Sequence, residues 1–555
     1  MIGGQGLTDA DMAPSRFKSP EFIGYLTVSV VGISSLFWIA HGVSAESHPN
    51  FHKYSHRLSR GWLGLQVDNS DGQYATFRSN IFVLVAVMCT YLFMSFLVPI
   101  LVPLAARLVS GRLLRHEPAQ VRRIYTLAFS LVFIYVLHGN GLFKILLILL
   151  ANYAIAKLGK GSLLTPIGAW VLGLSILFLN DRYQGYKFAS VTPLLASLDR
   201  STGLMGRWWI TFNFSVLRMI SFSMDYFWSR TQPQGPPKPH RKHCEECLAG
   251  RICQRGRSED HLNETDYNLF NYYLYALYVP LFMAGPILSF NDFVAQTKTW
   301  SLRLTKATLV YAARWIGVVV LMEVMQHTLY VVAIAKSKAW DGFTPAQIVA
   351  VGFINLKFIW MKLLIIWRFF RLWAMADGIE TTENMNRCMT NNYSAMGFWR
   401  SWHRSFNRWL IRYVYAPLGG AQYYAYNVWI VFTFVALWHD ISMTLLAWAW
   451  LIVLFIMPEI VATRLFVREP YTRWRHFLAI CGIGAVFNIC FMIVANLVGF
   501  AVGVEGMTLM LKQTFVWSWG GAGFLVAAFA TLYCSARVMF AIREAEASRS
   551  DNRRD

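Results

Sequence analysis

Residues 397–420 read Gly397-Phe-Trp-Arg400-Ser-Trp-His403-Arg404-Ser-Phe-Asn407-Arg408-Trp-Leu-Ile-Arg412-Tyr-Val-Tyr-Ala-Pro417-Leu-Gly-Gly420. An apolar run over 425–439 follows, closing on Leu437-Trp-His439-Asp440, and a second run covers 443–457. Pro417 and Gly419-Gly420 stop the first, basic segment before the apolar runs begin. Two apolar runs separated by a short polar turn are the mark of a helical hairpin through lipid. Backbone groups must there be paired within each segment, and a barrel would alternate instead.

Working outward, comparable runs lie near 22–40, 81–104, 124–137, 142–156, 163–180, 208–228, 267–290, 307–335, 347–373, 476–499 and 520–541. Several are short for a crossing of about 20 residues, so about 11 transmembrane helices are expected. The fold class is therefore all-α, a polytopic membrane bundle. The composition agrees: of 555 residues 56% are hydrophobic, 16% aromatic and 15% charged, with mean hydropathy +0.39. That excludes an ordinary soluble enzyme, a disordered scaffold and a disulfide-rich secreted module. The net charge of +21 reads as basic cytoplasmic loops and not as a nucleic-acid surface. A polar tail over 1–21 carries no cleavable signal pattern, a single membrane domain spans 22–541, and a charged tail covers 542–555.

Loop charge sets the expected topology. The loop bearing Arg107, Arg112, Arg115, Arg122 and Arg123 is placed in the cytoplasm, as is the basic loop 229–266, which opens on Gln232-Pro-Gln-Gly-Pro-Pro-Lys-Pro239. Counting back from the Arg543–Arg554 tail and the loop with Arg464, Arg468, Arg473 and Arg475 puts 400–424 in the cytoplasm and the turn near 440 on the lumenal side. The two counts disagree by one crossing between 229 and 306. The run 267–290, broken by Pro280 and Gly285-Pro286, is the segment expected to be re-entrant.

Within 397–420, Arg400, Arg404, Arg408 and Arg412 recur every four residues, so a continuous helix would stack them on one face. Such a ladder suits anions, either lipid headgroups or a phosphorylated substrate. His403 and Asn407 form a second i,i+4 pair, and His439-Asp440 brings ionisable groups to the end of an apolar helix, where they are functional candidates.

The Trp-x-x-Trp-His-Arg-Ser-Phe-Asn-Arg-Trp block, the Arg-Tyr-Val-Tyr-x-Pro-Leu-Gly-Gly that follows and the later Leu-Trp-His together resemble the membrane-bound O-acyltransferase (MBOAT) superfamily. Val67-Asp-Asn-Ser-Asp71-x-Gln-Tyr74 and Tyr278-Val-Pro-Leu-Phe-x-Ala-Gly-Pro286 point to its fungal-type glycerol-uptake and GPI-anchor-remodelling branch, a relative of hedgehog acyltransferase. The resemblance implies a bundle with re-entrant segments around a through-membrane chamber. Long-chain acyl-CoA is the implied co-substrate, with no permanently bound cofactor and no metal; a lipid hydroxyl, most simply lyso-GPI, is the implied acceptor, in the endoplasmic reticulum. His439 matches the superfamily's catalytic histidine. His403 matches a position that is His, Asn or Asp in different branches; hedgehog acyltransferase has Asp there, which argues against carrying over protein palmitoylation. Asp440 stands where many members have Gly.

On this reading His439 acts as general base, His403 or Asn407 polarises the thioester or orients the acceptor, and the four arginines hold the CoA phosphates. Two other classes compete. A glycerol/proton symporter would use membrane carboxylates, for which Glu323 and Asp225 are the candidates. The other is a catalytically silent regulator. In the basic loop, His240-x-x-His243-Cys244-x-x-Cys247-x5-Cys253 has zinc-type ligands but lacks a second paired half, and reads as a reduced, solvated loop. Asn263-Glu-Thr265 is a glycosylation acceptor that the charge count leaves in the cytoplasm and unmodified.

Overall fold

The computed structural model describes residues 16–110, 117–232, 239–242, 244–515 and 519–551. Arg112, Arg115, His243, Arg554 and most of the proline-rich stretch 232–239 lie outside them. Ten helices among the described residues are long and apolar enough to cross a bilayer, from Pro20–Ser44 to Trp519–Ala547. Two further helices fall outside that set, against the expected count of about 11. Trp208–Thr231 is 24 residues long but carries Asn213, Arg218 and Asp225, and Tyr424–His439 has only 16 residues. The first and last long helices pack together, and Pro345–Ala376 runs beside the first through the middle of the bundle. Among the described residues the sole sheet is a short antiparallel ribbon of Leu58–Arg60 and Gln66–Asp68.

The run 267–290 does not cross. It folds as Leu269–Leu277, a five-residue turn of helix over Val279–Met283, and an extended stretch leading to Phe290–Thr297, nearly all of it buried. Broken backbone at depth persists only where its polar groups find partners, and here neighbouring helices supply them. Arg218 donates to the carbonyls of Ala276 (2.8 Å) and Leu281. The N–H groups of Ile287, Phe290 and Asn291 donate to Ser405 Oγ (3.0 Å), Ser221 Oγ (3.0 Å) and Asp225 Oδ2 (3.2 Å). Tyr275 closes the set by donating to the Leu288 carbonyl at 2.6 Å. The broken segment is thereby tied directly to the basic motif through Ser405.

A buried polar clasp fixes its middle, at Tyr278. Asp377, at 0% exposure, accepts from Arg122 (2.5 Å), Tyr91 (2.9 Å) and Tyr278 (2.5 Å), and its carbonyl accepts from Trp300 Nε1 (2.7 Å). Four separate elements meet on this one residue, three of them on its carboxylate.

Three segments placed on one side by charge counting do meet in space. Gln254 of the basic loop accepts from Arg408 at 2.6 Å, Arg257 pairs with Glu380 at 2.8 Å, and Arg543 of the last helix donates to the Asn391 carbonyl at 2.7 Å. One face of the bundle thus carries loop 239–266, the approach to the motif, and the C-terminal helix.

Candidate active site

The motif is not one helix. Ala395–Ser401 ends at Trp402, Arg404–Leu410 begins afresh, and residues Ile411–Tyr415 widen into a π turn. The break is His403, whose backbone sits in the left-handed region at φ 42°, a strained place for a residue with a Cβ and one that clusters at functional sites. The kink turns the imidazole inward while its carbonyl still accepts from the N–H of Asn407 (3.0 Å).

This overturns the single arginine ladder. The kink separates Arg400 from the other three, and the π turn rotates Arg412 out of register. Arg412 is committed to Asp225 at 2.8 Å with its guanidinium over Trp228, while Arg404 donates to Asn386 and Arg408 to Gln254 and Thr382.

What the fold does bring together is the two histidines. His403, Asn407, Arg400 and His439 line one cavity of about 270 Å³, whose walls include Trp399, Phe406, Trp448 and Phe500. His439 ends its helix, and its ring lies edge-on to Trp438 and Trp448 with its surface open to the cavity. Trp438 is itself clamped, its Nε1 donating to the Asn213 carbonyl (2.9 Å) and its carbonyl accepting from Asn213 Nδ2 (3.1 Å). The catalytic candidate thus stands on a rigid base.

His403 is held more tightly. Its ring stacks on Trp367 with centroids 4.5 Å apart, and Nδ1 lies 2.7 Å from Asn384 Oδ1. A carboxamide oxygen only accepts, so Nδ1 carries the proton and Nε2 keeps its lone pair. His403 lies between short helices, outside the spanning ones. Burial, together with the nearby His439, pushes its pKa down to about 3, so the ring is neutral. Asn407 Nδ2 has only a long 3.5 Å contact to the Trp399 carbonyl, which leaves it free to donate into the cavity.

Asn384 carried no sequence signal: it lies 19 residues before its partner in an irregular stretch. Replacing it with Leu is expected to lower kcat about 3- to 10-fold, the worth of one neutral hydrogen bond, with little change in KM. Steady-state rates of purified Asn384→Leu, with Asn384→Asp as partial rescue, check this.

On the far side of the motif lies a larger cavity of about 1110 Å³, lined by Arg241, Arg255, Arg408 and Arg412 among others, with Ile411 facing both spaces. Basic residues of the loop and of the motif therefore converge there, although the regular ladder does not exist.

Comparison with known proteins matches this architecture. The family model of MBOAT, the membrane-bound O-acyltransferase family, aligns with residues 194–504, a region that includes both histidines and the re-entrant segment. The membrane-bound O-acyltransferase gup1 of Schizosaccharomyces pombe is 41% identical over 552 residues, covering 97% of this chain and 91% of its own. GUP1 of Saccharomyces cerevisiae is 39% identical over 540 residues, covering 96% and 92%. The mouse protein-cysteine N-palmitoyltransferase HHAT is more distant, 29% identical over 280 residues, which is 48% of this chain and 55% of that protein. With the family region spanning more than half of the chain and close relatives aligned along nearly all of it, the chain belongs to the membrane-bound O-acyltransferase family and is an acyltransferase of the bilayer.

Proposed function

We propose that the protein transfers a long-chain acyl group from acyl-CoA to the free hydroxyl of a lyso-GPI lipid in the endoplasmic reticulum membrane. The observation that carries the chemistry is the shared cavity: two imidazoles and a carboxamide converge at its polar end and aromatic walls surround the rest. The acceptor rests on the likeness of the chain to the GUP1 relatives and on the GPI-remodelling branch whose motifs it carries.

In this reading the acceptor O–H gives its proton to His439 as its oxygen attacks the thioester carbon. The tetrahedral oxyanion is met by Asn407 Nδ2, the uncommitted donor. His403, neutral and fixed by Asn384 and Trp367, forms the wall against which the acceptor is aimed. The C–S bond then breaks, and CoA leaves as the thiol after taking the proton back from His439. Arg408, with Arg241 and Arg255 of the basic loop, holds CoA phosphates in the adjoining cavity, and Arg400 stands at the apolar one. Arg412 is not counted, because its partner Asp225 is fully buried, whereas the partners of Arg241 and Arg255 are partly exposed.

Both carboxylates that a symporter would need are neutralised. Glu323 is gripped by Arg78 through two contacts of 2.6 Å, and Asp225 by Arg412.

The test is a labelled acyl-CoA assay on purified protein with lyso-GPI, lysophospholipid and peptide acceptors. Preferential acylation of lyso-GPI is the expected result, and transfer confined to either other class overturns the acceptor assignment. Arg408→Ala is expected to raise the KM for acyl-CoA about 10-fold with a weakened salt dependence, since a charge-assisted contact contributes about 1.5–3 kcal/mol.

A further inference from the structure

We propose that His240, Cys244, Cys247 and Cys253 form a structural zinc site in the basic loop. Only half of a zinc pattern is visible in the sequence; folding supplies the rest. Donor atoms of His240, Cys247 and Cys253 all lie within 4.8 Å of one another, and Cys253 belongs equally to a second such group with Cys244. Glu246 completes that second group, so Cys244, Cys247 and His240 all lie within reach of the Cys253 sulfur.

The spacing has the dimensions of a metal site. Zn–S and Zn–N bonds of about 2.3 and 2.0–2.1 Å at the tetrahedral angle place sulfur and nitrogen about 3.6 Å apart. Cys253 Sγ lies 3.6 Å from His240 Nε2. The sulfurs also meet backbone donors. Cys253 caps the Gln254–Glu259 helix, accepting from the Gly256 N–H at 3.3 Å, and the N–H groups of Glu246 and Cys247 face Cys244.

A further observation concerns the outer face of the imidazole. His240 Nδ1 and Glu259 Oε2 are both buried without a hydrogen-bond partner, yet they stand only 3.7 Å apart. Zinc-bound histidines present their second nitrogen to a carboxylate in this way. Ligation through Nε2 fixes the proton on Nδ1 and aims it at Glu259. A set of three cysteine sulfurs and one imidazole favours zinc among the common ions, and each thiol yields its proton to solvent on binding.

The ion would lock the segment that leads into Gln254, whose side chain accepts from Arg408 and Thr382 at 2.6 and 2.7 Å. It therefore anchors one wall of the basic cavity.

Full-length protein purified without chelator is expected to contain about one zinc per chain by mass spectrometry of the metals. Cys253→Ser and Cys247→Ser bring that close to zero, and Cys388→Ser leaves it unchanged. Wild-type protein stripped with chelator and given Co²⁺ is expected to show thiolate-to-cobalt charge-transfer absorption, a readout independent of acyl transfer and of whether the variants fold. Zinc below about a tenth per chain without cobalt absorption overturns the site, as does a disulfide among the three cysteines in freshly purified protein.

Discussion

Acyl transfer by purified His439→Ala protein is expected to fall by at least about 10²–10⁴-fold, the usual contribution of a positioned general base, while the variant elutes and melts like the parent. The separation of the two effects follows from where the ring sits. Its surface opens onto the cavity and its neighbours are aromatic edges, so removing it leaves no buried polar partner stranded. The base of the site, Trp438 held between two bonds to Asn213, does not depend on the imidazole. Single-turnover rates with labelled acyl-CoA measure the loss, and near-normal transfer in the Ala variant would remove His439 from the chemistry. His439→Gln is the sharper comparison: it keeps a hydrogen-bonding group of similar reach but cannot take a proton, and is expected to be as inactive as Ala.

Asp377→Ala is expected to be the most destabilising single change, roughly 3–5 kcal/mol. Removing one partner of a buried pair leaves an uncompensated charge. Arg122 would keep a buried guanidinium with no counter-ion, and the Tyr91 and Tyr278 hydroxyls would lose their acceptor. Because Tyr278 opens the Val279–Met283 turn, the broken segment loosens with it. Asp377→Asn retains an acceptor oxygen without the charge and is expected to fall between parent and Ala. Thermal unfolding in detergent followed by size-exclusion fluorescence reads all three, and an Ala variant that melts with the parent would show the clasp to be dispensable.

The large features of this fold could be read from residue order because lipid imposes a simple rule: long apolar stretches become helices. Proline and glycine in 267–290 announced the interruption for an equally local reason. The His403/His439 pairing was readable only because two separated motifs each looked reactive. What escaped notice depends on distant neighbours. Asp377 meets Tyr91 from 286 positions away, and no local pattern marks either. The left-handed backbone at His403 is equally silent: histidine tolerates that conformation better than most residues, but nothing in the residue order around it calls for one. One silent dihedral angle was enough to dismantle a regular arginine spacing. Likewise the His240–Cys253 stretch shows its ligand types but no second paired half; only the fold brings His240, Cys247 and Cys253 within reach of one another.

The Tyr424–His439 helix has only 16 residues, about 24 Å at 1.5 Å per residue, against a hydrocarbon layer of about 30 Å. A rod that stops short leaves its tip submerged. An acceptor whose reactive oxygen sits at the glycerol level can reach that tip by sinking a few ångströms, with its bulky sugar head still in water and its remaining tail still among its neighbours. Under the proposed reaction, such a substrate would be acylated without being pulled out of its leaflet.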